Sequence, residues 1–183
     1  KALLTQIPLG HLGKPSDIAH AVVYLHAWRV SHEKERGPFG DVLDATGDFR
    51  LINAGLCRRH HDRAQMDFGP EGRAGISIFN AEARALPYEF SLVERHPEGS
   101  QAFVPMSEHP FLVIVAPDEG GTPGTPQAFL TNGTQGINLH RGTWHGVLTP
   151  LHAPGLFAVI DRIGTTANLE EYRYAQAWRV IGA

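Results

Sequence analysis

Two segments of the chain carry polar side chains inside otherwise apolar, strand-like sequence. The side chains are Glu94, His96 and Gln101 in the first segment and Asn138, His140 and His145 in the second. Residues two apart on a strand share a face, so Glu94 and His96 should face the side that Phe90 buries. Asn138 and His140 should likewise share one face. Charged and imidazole groups facing inward cost free energy unless they are paired, hydrogen-bonded or bound to a ligand. Two such strands brought together predict a small polar pocket inside a β-barrel.

The sequence from Phe39 onward is typical of an all-β fold. Short runs rich in Val, Ile, Phe and Leu alternate with Gly, Pro, Asn and Asp about every 8 to 12 residues, which favours a sandwich, a jelly roll or a closed barrel. The candidate strands span residues 41–45, 50–54, 56–60, 74–80, 88–95, 101–105, 111–116, 127–131, 136–140, 145–149 and 156–161. Residues 169–180 are compatible with either a short helix or a last edge strand.

The first 36 residues have a different pattern and are predicted to be an appendage. Residues 16–27 are predicted to form an amphipathic helix, because Ser16 can cap it and Ile18, Val22 and Leu25 recur at helical spacing. A charged linker, residues 31–36, follows. The expected organisation is therefore an N-terminal appendage, residues 1–36, and a β domain, residues 37–183.

Composition excludes several classes of protein. The 183 residues are 42% hydrophobic and 19% charged, which suits one compact domain, and the net charge of -3 argues against nucleic-acid binding. No apolar run is long enough to cross a bilayer. Cys57 is the single cysteine, which excludes an internal disulfide and a cysteine-based zinc site. The start has no secretory pattern, and it lacks an initiator Met, which is consistent with missing upstream sequence. A cytoplasmic protein is expected.

From about Gly37 to Arg162, six motifs resemble the ureidoglycolate lyase family in order and approximate spacing. They are Pro38-Phe-Gly-Asp-Val-Leu43, Glu94-Arg-His-Pro97, Gln101-Ala-Phe-Val-Pro-Met106, Asn132-Gly-Thr-Gln-Gly-Ile-Asn138, His140-Arg-Gly-Thr-Trp-His145 and Ile160-Asp-Arg162. The resemblance implies a cupin-like β-barrel (jelly roll) and a homodimer. It also implies an enzyme of allantoin degradation that cleaves ureidoglycolate to glyoxylate and urea. A hydrolase that releases ammonia and a non-catalytic cupin that binds a small acid or a metal are the alternatives.

Comparison with cupin metal sites implies a ligand set. Cupins use His-x-His, a Glu four or five residues later, and a His that ends a second motif. Glu94, His96, Gln101 and His145 occupy those positions here, with Glu in place of the first His and Gln in place of the Glu. Two His and one carboxylate can hold a divalent metal and leave positions open. Its identity stays open, as does a metal-free mechanism.

The resemblance also suggests roles in the reaction. His96, His145 and Glu94 are the candidate catalytic residues, since a base must take the hydroxyl proton and an acid must protonate the leaving nitrogen. The candidate substrate-binding residues are Gln101 and Asn138, for hydrogen bonds to the ureido group, His140, and Arg162 as a clamp for the carboxylate. Each has an ordinary structural alternative. The histidines could be buried hydrogen-bonding residues, Arg162 could pair with an acid, and Glu94 could pair with an arginine, although strand alternation argues against its neighbour Arg95.

Three positions depart from the family pattern, and the N-terminus has a second resemblance. Leu139, Gly146 and Ile163 stand where the family often has Tyr, His and Gly, which affects substrate positioning.

Residues 1–27, with Ile7-Pro-Leu-Gly-His-Leu-Gly-Lys-Pro-Ser-Asp-Ile-Ala19, resemble the C-terminal part of a short-chain dehydrogenase. Neither the Gly-rich nucleotide turn nor the Tyr-x-x-x-Lys pair is present, so no NAD binding is expected.

Overall fold

The structure is a computed structural model that describes residues 21–27 and 37–182. Within these ranges the chain forms strands and turns and no helix, and it therefore has no helix that could span a membrane. The prediction of a mainly β protein is confirmed. The strands are β1 (Ala21–Ala27), β2 (Gly40–Leu43), β3 (Arg50–Ile52), β4 (Cys57–Arg59), β5 (Arg73–Ala81), β6 (Tyr88–Arg95), β7 (Gln101–Pro105), β8 (Phe111–Ala116), β9 (Gln127–Leu130), β10 (Gly136–Leu139), β11 (Trp144–His145), β12 (Thr149–Pro150), β13 (Gly155–Ile163) and β14 (Glu170–Ile181).

The prediction of an N-terminal helix is wrong for residues 21–27, the part of it that the structure describes. Residues 21–27 form strand β1, which pairs in parallel with β14 through residues 21–24 and with β9 through residues 25–27. Val23 is buried opposite Val180 of β14. Local spacing favoured a helix, but the valines suit a strand, and pairing with two distant strands outweighs a weak local preference. Residues 1–20 and 28–36, with the rest of the helix and the linker, lie outside the described residues, and the domain boundary stays a prediction.

Two other expectations need correction. The single strand expected at residues 145–149 is two short strands, β11 and β12. The C-terminal stretch is the long strand β14, which lies between β6 and β1 and so is neither a helix nor an edge strand.

The strands form two large sheets and one small hairpin. The first sheet has the order β11-β6-β14-β1-β9-β8-β12, with a further pairing of β11 to β8, and the second has the order β2-β10-β7-β13-β5. Strands β3 and β4 form the hairpin. Among the described residues no strand of one large sheet pairs with a strand of the other. The arrangement is a cupin-like β-sandwich, and its two sheets do not close together into the single β-barrel (jelly roll) that the resemblance implied.

Strand β8 lies between two apolar cores. All six of its residues are buried, which explains why its sequence is continuously apolar instead of alternating. Leu112 and Ile114 pack in the first core, against β1, β6, β9, β11 and β14. Val113 and Val115 pack in the second core, against residues of β7, β10 and β13. This second core lies between the two sheets, and the candidate site borders it.

Candidate functional site

Glu94, His96 and His145 meet at the junction of β6 and β11. His145 of β11 lies opposite Glu94 of β6 and, on the other side, opposite Val115 of β8. His96 follows directly after β6, where its carbonyl accepts a hydrogen bond from the Gly142 amide at 2.9 Å. One potential ligand atom from each of the three side chains lies within 4.8 Å of the others. The two polar segments therefore meet through Glu94 and His96 of the first and His145 of the second.

Backbone carbonyls orient both imidazole rings of the triad. The His96 Nδ1 lies 2.6 Å from the carbonyl of Asn168, and the His145 Nδ1 lies 3.0 Å from the carbonyl of Gly146. Because a carbonyl only accepts, each Nδ1 carries the hydrogen, and in the neutral ring each Nε2 presents a lone pair. Both Nε2 atoms are buried and have no hydrogen-bond partner among the described residues. This orientation suits metal ligands, whose second nitrogen commonly donates to a carbonyl.

Burial favours the uncharged forms of two residues of the triad, His145 and Glu94. It lowers the pKa of His145 from its ordinary value of 6.5 to about 4, although the carbonyl of Gly146 opposes the shift. The ring is therefore neutral at neutral pH. Burial also raises the pKa of Glu94, and nearby Glu171 adds to the rise while His96 opposes it. A buried neutral His145 ring beside a carboxylate with a raised pKa can bind a cation or handle a proton.

Neither Arg95 nor Arg162, the two arginines that could have paired with Glu94, does so. Arg95 pairs with Asp118 at 2.8 Å and with Glu170 at 2.6 Å, and it stacks over Trp144 on the side of the first core. The argument from strand alternation is thus consistent with the structure. No ion pair to the Glu94 carboxylate from an arginine or lysine is found among the described residues, which leaves it available to a ligand.

The expectation that Glu94 faces the same side as Phe90 is wrong. Phe90 packs with Val93 in the first core, whereas Glu94 faces His145 on the opposite side of the sheet. The pairing of β6 with β14 shifts in register between Leu92 and Phe90, so simple alternation does not extend along the whole strand.

Gln101 and Asp161 contribute polar groups to the inner face of the second sheet. Gln101 lies two residues before Phe103, and Asp161 two residues after Val159, and both of these apolar residues pack in the second core. The Gln101 amide donates a long hydrogen bond of 3.4 Å to Asp161 Oδ2. Gln101 is 6% exposed. The predicted ligand Gln101 thus faces the core that His145 also borders.

Asn138 and His140 do share a face, but it is the outer face of β10. Leu139, between them, packs in the second core. The Asn138 amide donates to Asp41 Oδ2 and to the carbonyl of Gln65, both at 3.0 Å, and His140 Nε2 lies 3.1 Å from Asp41 Oδ1. The structure does not bring these side chains to the triad; they hold the segment around residue 65 against the sheet. Their role in substrate binding stays a prediction.

Arg162 also lies away from the triad, on the face opposite Asp161. Its Nη2 atom is 3.0 Å from Glu98 Oε2 and donates to Thr166 Oγ1 at 3.0 Å. Thr166 Oγ1 in turn donates to Glu98 Oε2. The guanidinium is thus engaged by an acid of the chain, as in the structural alternative, and its role as a carboxylate clamp stays a prediction.

The three departures from the family pattern are each accommodated by packing. Leu139 is 3% exposed within the second core. A Cβ at Gly146 would lie 3.1 Å from the Cβ of Ile114, so a larger residue there would crowd β8. Ile163 covers Gly75, where a Cβ would lie 2.2 Å from the Ile163 side chain.

Sequence reasoning missed Asp161 and the two carbonyls that orient the histidines. Asp161 belongs to a motif that was recognised, but only its neighbour Arg162 was assigned a role. Alternation from the buried Val159 would have indicated its inward direction. No sequence signal identifies the carbonyls of Gly146 and Asn168, because any residue type supplies one.

Comparisons with known proteins agree with the motifs. The sequence model described as ureidoglycolate lyase matches residues 25–181. The chain is 61% identical over 136 residues to ureidoglycolate lyase of Rhodobacter capsulatus, covering 74% of this chain and 84% of that protein. It is 49% identical over 153 residues to ureidoglycolate lyase 2 of Rhizobium meliloti, covering 82% and 93%. Ureidoglycolate lyase of Mesorhizobium japonicum is 48% identical over 145 residues, covering 78% and 89%.

Proposed function

The chain belongs to the ureidoglycolate lyase family, and we propose that it cleaves ureidoglycolate to glyoxylate and urea in allantoin degradation. The similarity to curated lyases over most of their length carries this proposal. The convergence of Glu94, His96 and His145 on one partly buried site supports it, because the reaction needs a site that binds a small anion and moves a proton.

The donor set of the triad fits a divalent metal ion. Two imidazole Nε2 lone pairs and one carboxylate form the set that holds such ions with positions left open, and both Nε2 atoms are buried without another partner. Cupin spacing implies Gln101 as a fourth ligand, but we propose only these three side chains as the donor set. A bound divalent ion would supply Lewis-acid polarisation of the substrate hydroxyl and carboxylate oxygens.

The side chains of the site carry the proton transfers in this proposal. Cleavage removes the hydroxyl proton, breaks the bond between carbon and the ureido nitrogen, and protonates that nitrogen as urea leaves. In a site without an ion, Glu94 suits both transfers, since burial raises its pKa and so favours proton uptake and return. His145, neutral because of its lowered pKa, presents a lone pair rather than a proton. The carbonyls of Asn168 and Gly146 keep both rings in this orientation.

A homodimer is the assembly we propose, with the outer face of the second sheet as its interface. Ile76 and Ile78 of the edge strand β5 are 74% and 59% exposed, and Val104 of β7 and Met106, just after that strand, are also exposed. These exposed apolar side chains lie on one sheet, and a second copy of the chain would bury them. A cytoplasmic location remains the expectation from the sequence.

The test is an assay of purified protein with ureidoglycolate that measures glyoxylate, urea and ammonia separately, with and without a chelator. Lyase activity produces one urea for each glyoxylate, whereas a hydrolase produces ammonia and a non-catalytic protein produces none of them. We expect chelation to abolish activity and a divalent ion to restore it. Undiminished turnover in chelator would mean that the triad acts without a metal.

Variants connect the activity to the site. We expect His96→Ala and His145→Ala to lower kcat/KM by at least about a hundredfold, since each removes a ligand or proton-transfer group. His61→Ala, an exposed histidine, is the matched control and should behave like the parent protein. Parent-like turnover in both site variants would show that the assigned site is wrong.

A further inference from the structure

Gln101 and Asp161 present two acceptor oxygens that no group of the described chain satisfies. Gln101 Oε1 and Asp161 Oδ1 are both buried and have no hydrogen-bond partner among the described residues. The hydrogen bond from Gln101 Nε2 to Asp161 Oδ2 links the two side chains and leaves these oxygens as the free members of the pair. The pair lies on adjacent strands, β7 and β13, on the face directed at the second core.

Such a pair indicates what kind of ligand it accepts. A buried acceptor without a donor is unfavourable, and more so when it is charged. Two such oxygens on hydrogen-bonded side chains are stabilised by a group that offers hydrogen-bond donors. A carboxylate or another anion would be repelled by Asp161.

Ureidoglycolate carries a carboxylate, a hydroxyl and a ureido group on one carbon, and the ureido group alone offers N–H donors. We propose that Asp161 and Gln101 form the ureido subsite, with Asp161 Oδ1 and Gln101 Oε1 accepting the N–H groups of the substrate. The assignment rests on the proposed function. It makes Asp161 a specificity-determining residue that places the leaving group and directs the carboxylate away from β13.

The orientation of Gln101 supports this division of roles. An amide can present either its oxygen or its nitrogen, and the carboxylate of Asp161 retains the nitrogen. The oxygen is thereby directed at the ligand. Asp161 thus acts on the ureido group both directly and through the orientation of Gln101.

Product inhibition tests the subsite, because each of the two products carries only one part of the substrate. Urea retains the N–H donors, and glyoxylate retains the carboxylate. Asp161→Asn keeps the shape of the side chain and can still accept from Gln101, but it loses the charge and can present an N–H where an acceptor is needed. We expect the inhibition constant for urea to rise about tenfold or more while that for glyoxylate changes less than about twofold. Asp48→Asn, an exposed acid in the loop before β3, is the matched control.

A second variant keeps the test decisive if Asp161→Asn does not fold. Gln101→Leu removes one acceptor at similar size, and the same selective loss of urea inhibition is expected. Unchanged urea inhibition in a folded variant would overturn the subsite, and so would an equal loss for urea and glyoxylate. If the parent protein releases neither product from ureidoglycolate, the proposed function itself fails. An active parent protein with unselective variants refutes the subsite alone.

Discussion

At the scale of single residues, the backbone decides how the triad histidines can act. The carbonyls of Gly146 and Asn168 hold the Nδ1 hydrogens of His145 and His96, so the two Nε2 atoms present their lone pairs to the same space. A side-chain partner could be lost by mutation, but these carbonyls are present whatever residue stands there. The orientation of the rings therefore depends on the path of the chain after β11 and before β14.

The buried state of His145 predicts a pH dependence of stability in metal-free protein. The pKa is about 4 in the folded chain and near 6.5 in an unfolded one, so between these values the unfolded state binds a proton that the folded state does not. His145 leaves the free energy of unfolding unaffected above pH 6.5 and lowers it as pH falls towards 4, by on the order of 3 kcal/mol. Urea unfolding in chelator at a series of pH values measures this change.

A His145 variant compared with the parent protein isolates the contribution of His145 to this pH dependence of stability. His145→Gln should lose less stability than the parent protein between pH 6.5 and 4, while His61→Gln, at an exposed position, should follow the parent curve. Parallel curves for the parent protein and His145→Gln would contradict the proposed burial of a neutral ring.

At the scale of elements, strand β1 connects two strands that otherwise would not meet. It lies between β14 and β9 and pairs with both in parallel, and Val23 contributes to the first core. The segment is therefore an integral strand of the larger sheet. A helix lying on the surface would leave the facing edges of β14 and β9 unpaired.

We expect Val23→Asp to lower the free energy of unfolding by about 3 kcal/mol or more, because it places an unpaired charge where the side chain is 6% exposed. Leu56→Asp, at a 90% exposed position in the hairpin of β3 and β4, should change it by less than about 0.5 kcal/mol. Chemical denaturation of both variants measures the difference. Equal stability of the two would show that β1 does not occupy the sheet in solution.

At the scale of the whole molecule, the sequence predicts where the strands lie better than it predicts which face of a sheet each side chain occupies. Strand β8, for example, is apolar and is bounded by Pro110 and Pro117, which marks it locally. The histidines of the triad could be identified from motif spacing. The sequence could not predict whether the Asn138 side chain faces inward, because this depends on which face of β10 the other sheet covers. Strand β1 was missed for a similar reason, since its partners are remote in sequence.

The exposed apolar face of the second sheet predicts the assembly state. We expect the parent protein to have twice the 20.0 kDa mass of the chain by light scattering, and Ile76→Lys with Ile78→Lys to reduce it to that of a single chain. Leu56→Lys, an exposed apolar residue outside that sheet, is the control and should remain dimeric. A parent protein with the mass of one chain would refute the proposed interface.

The pairing of β1 also constrains the order of events during biosynthesis. Ala21 lies opposite Trp178, so most of the chain separates the two strands. A ribosome releases β1 early, yet its neighbours β9 and β14 emerge much later, and contacts this remote in sequence form slowly. The seven-stranded sheet can thus be completed only after β14 has left the ribosome, and until then β1 lacks one of its two neighbouring strands.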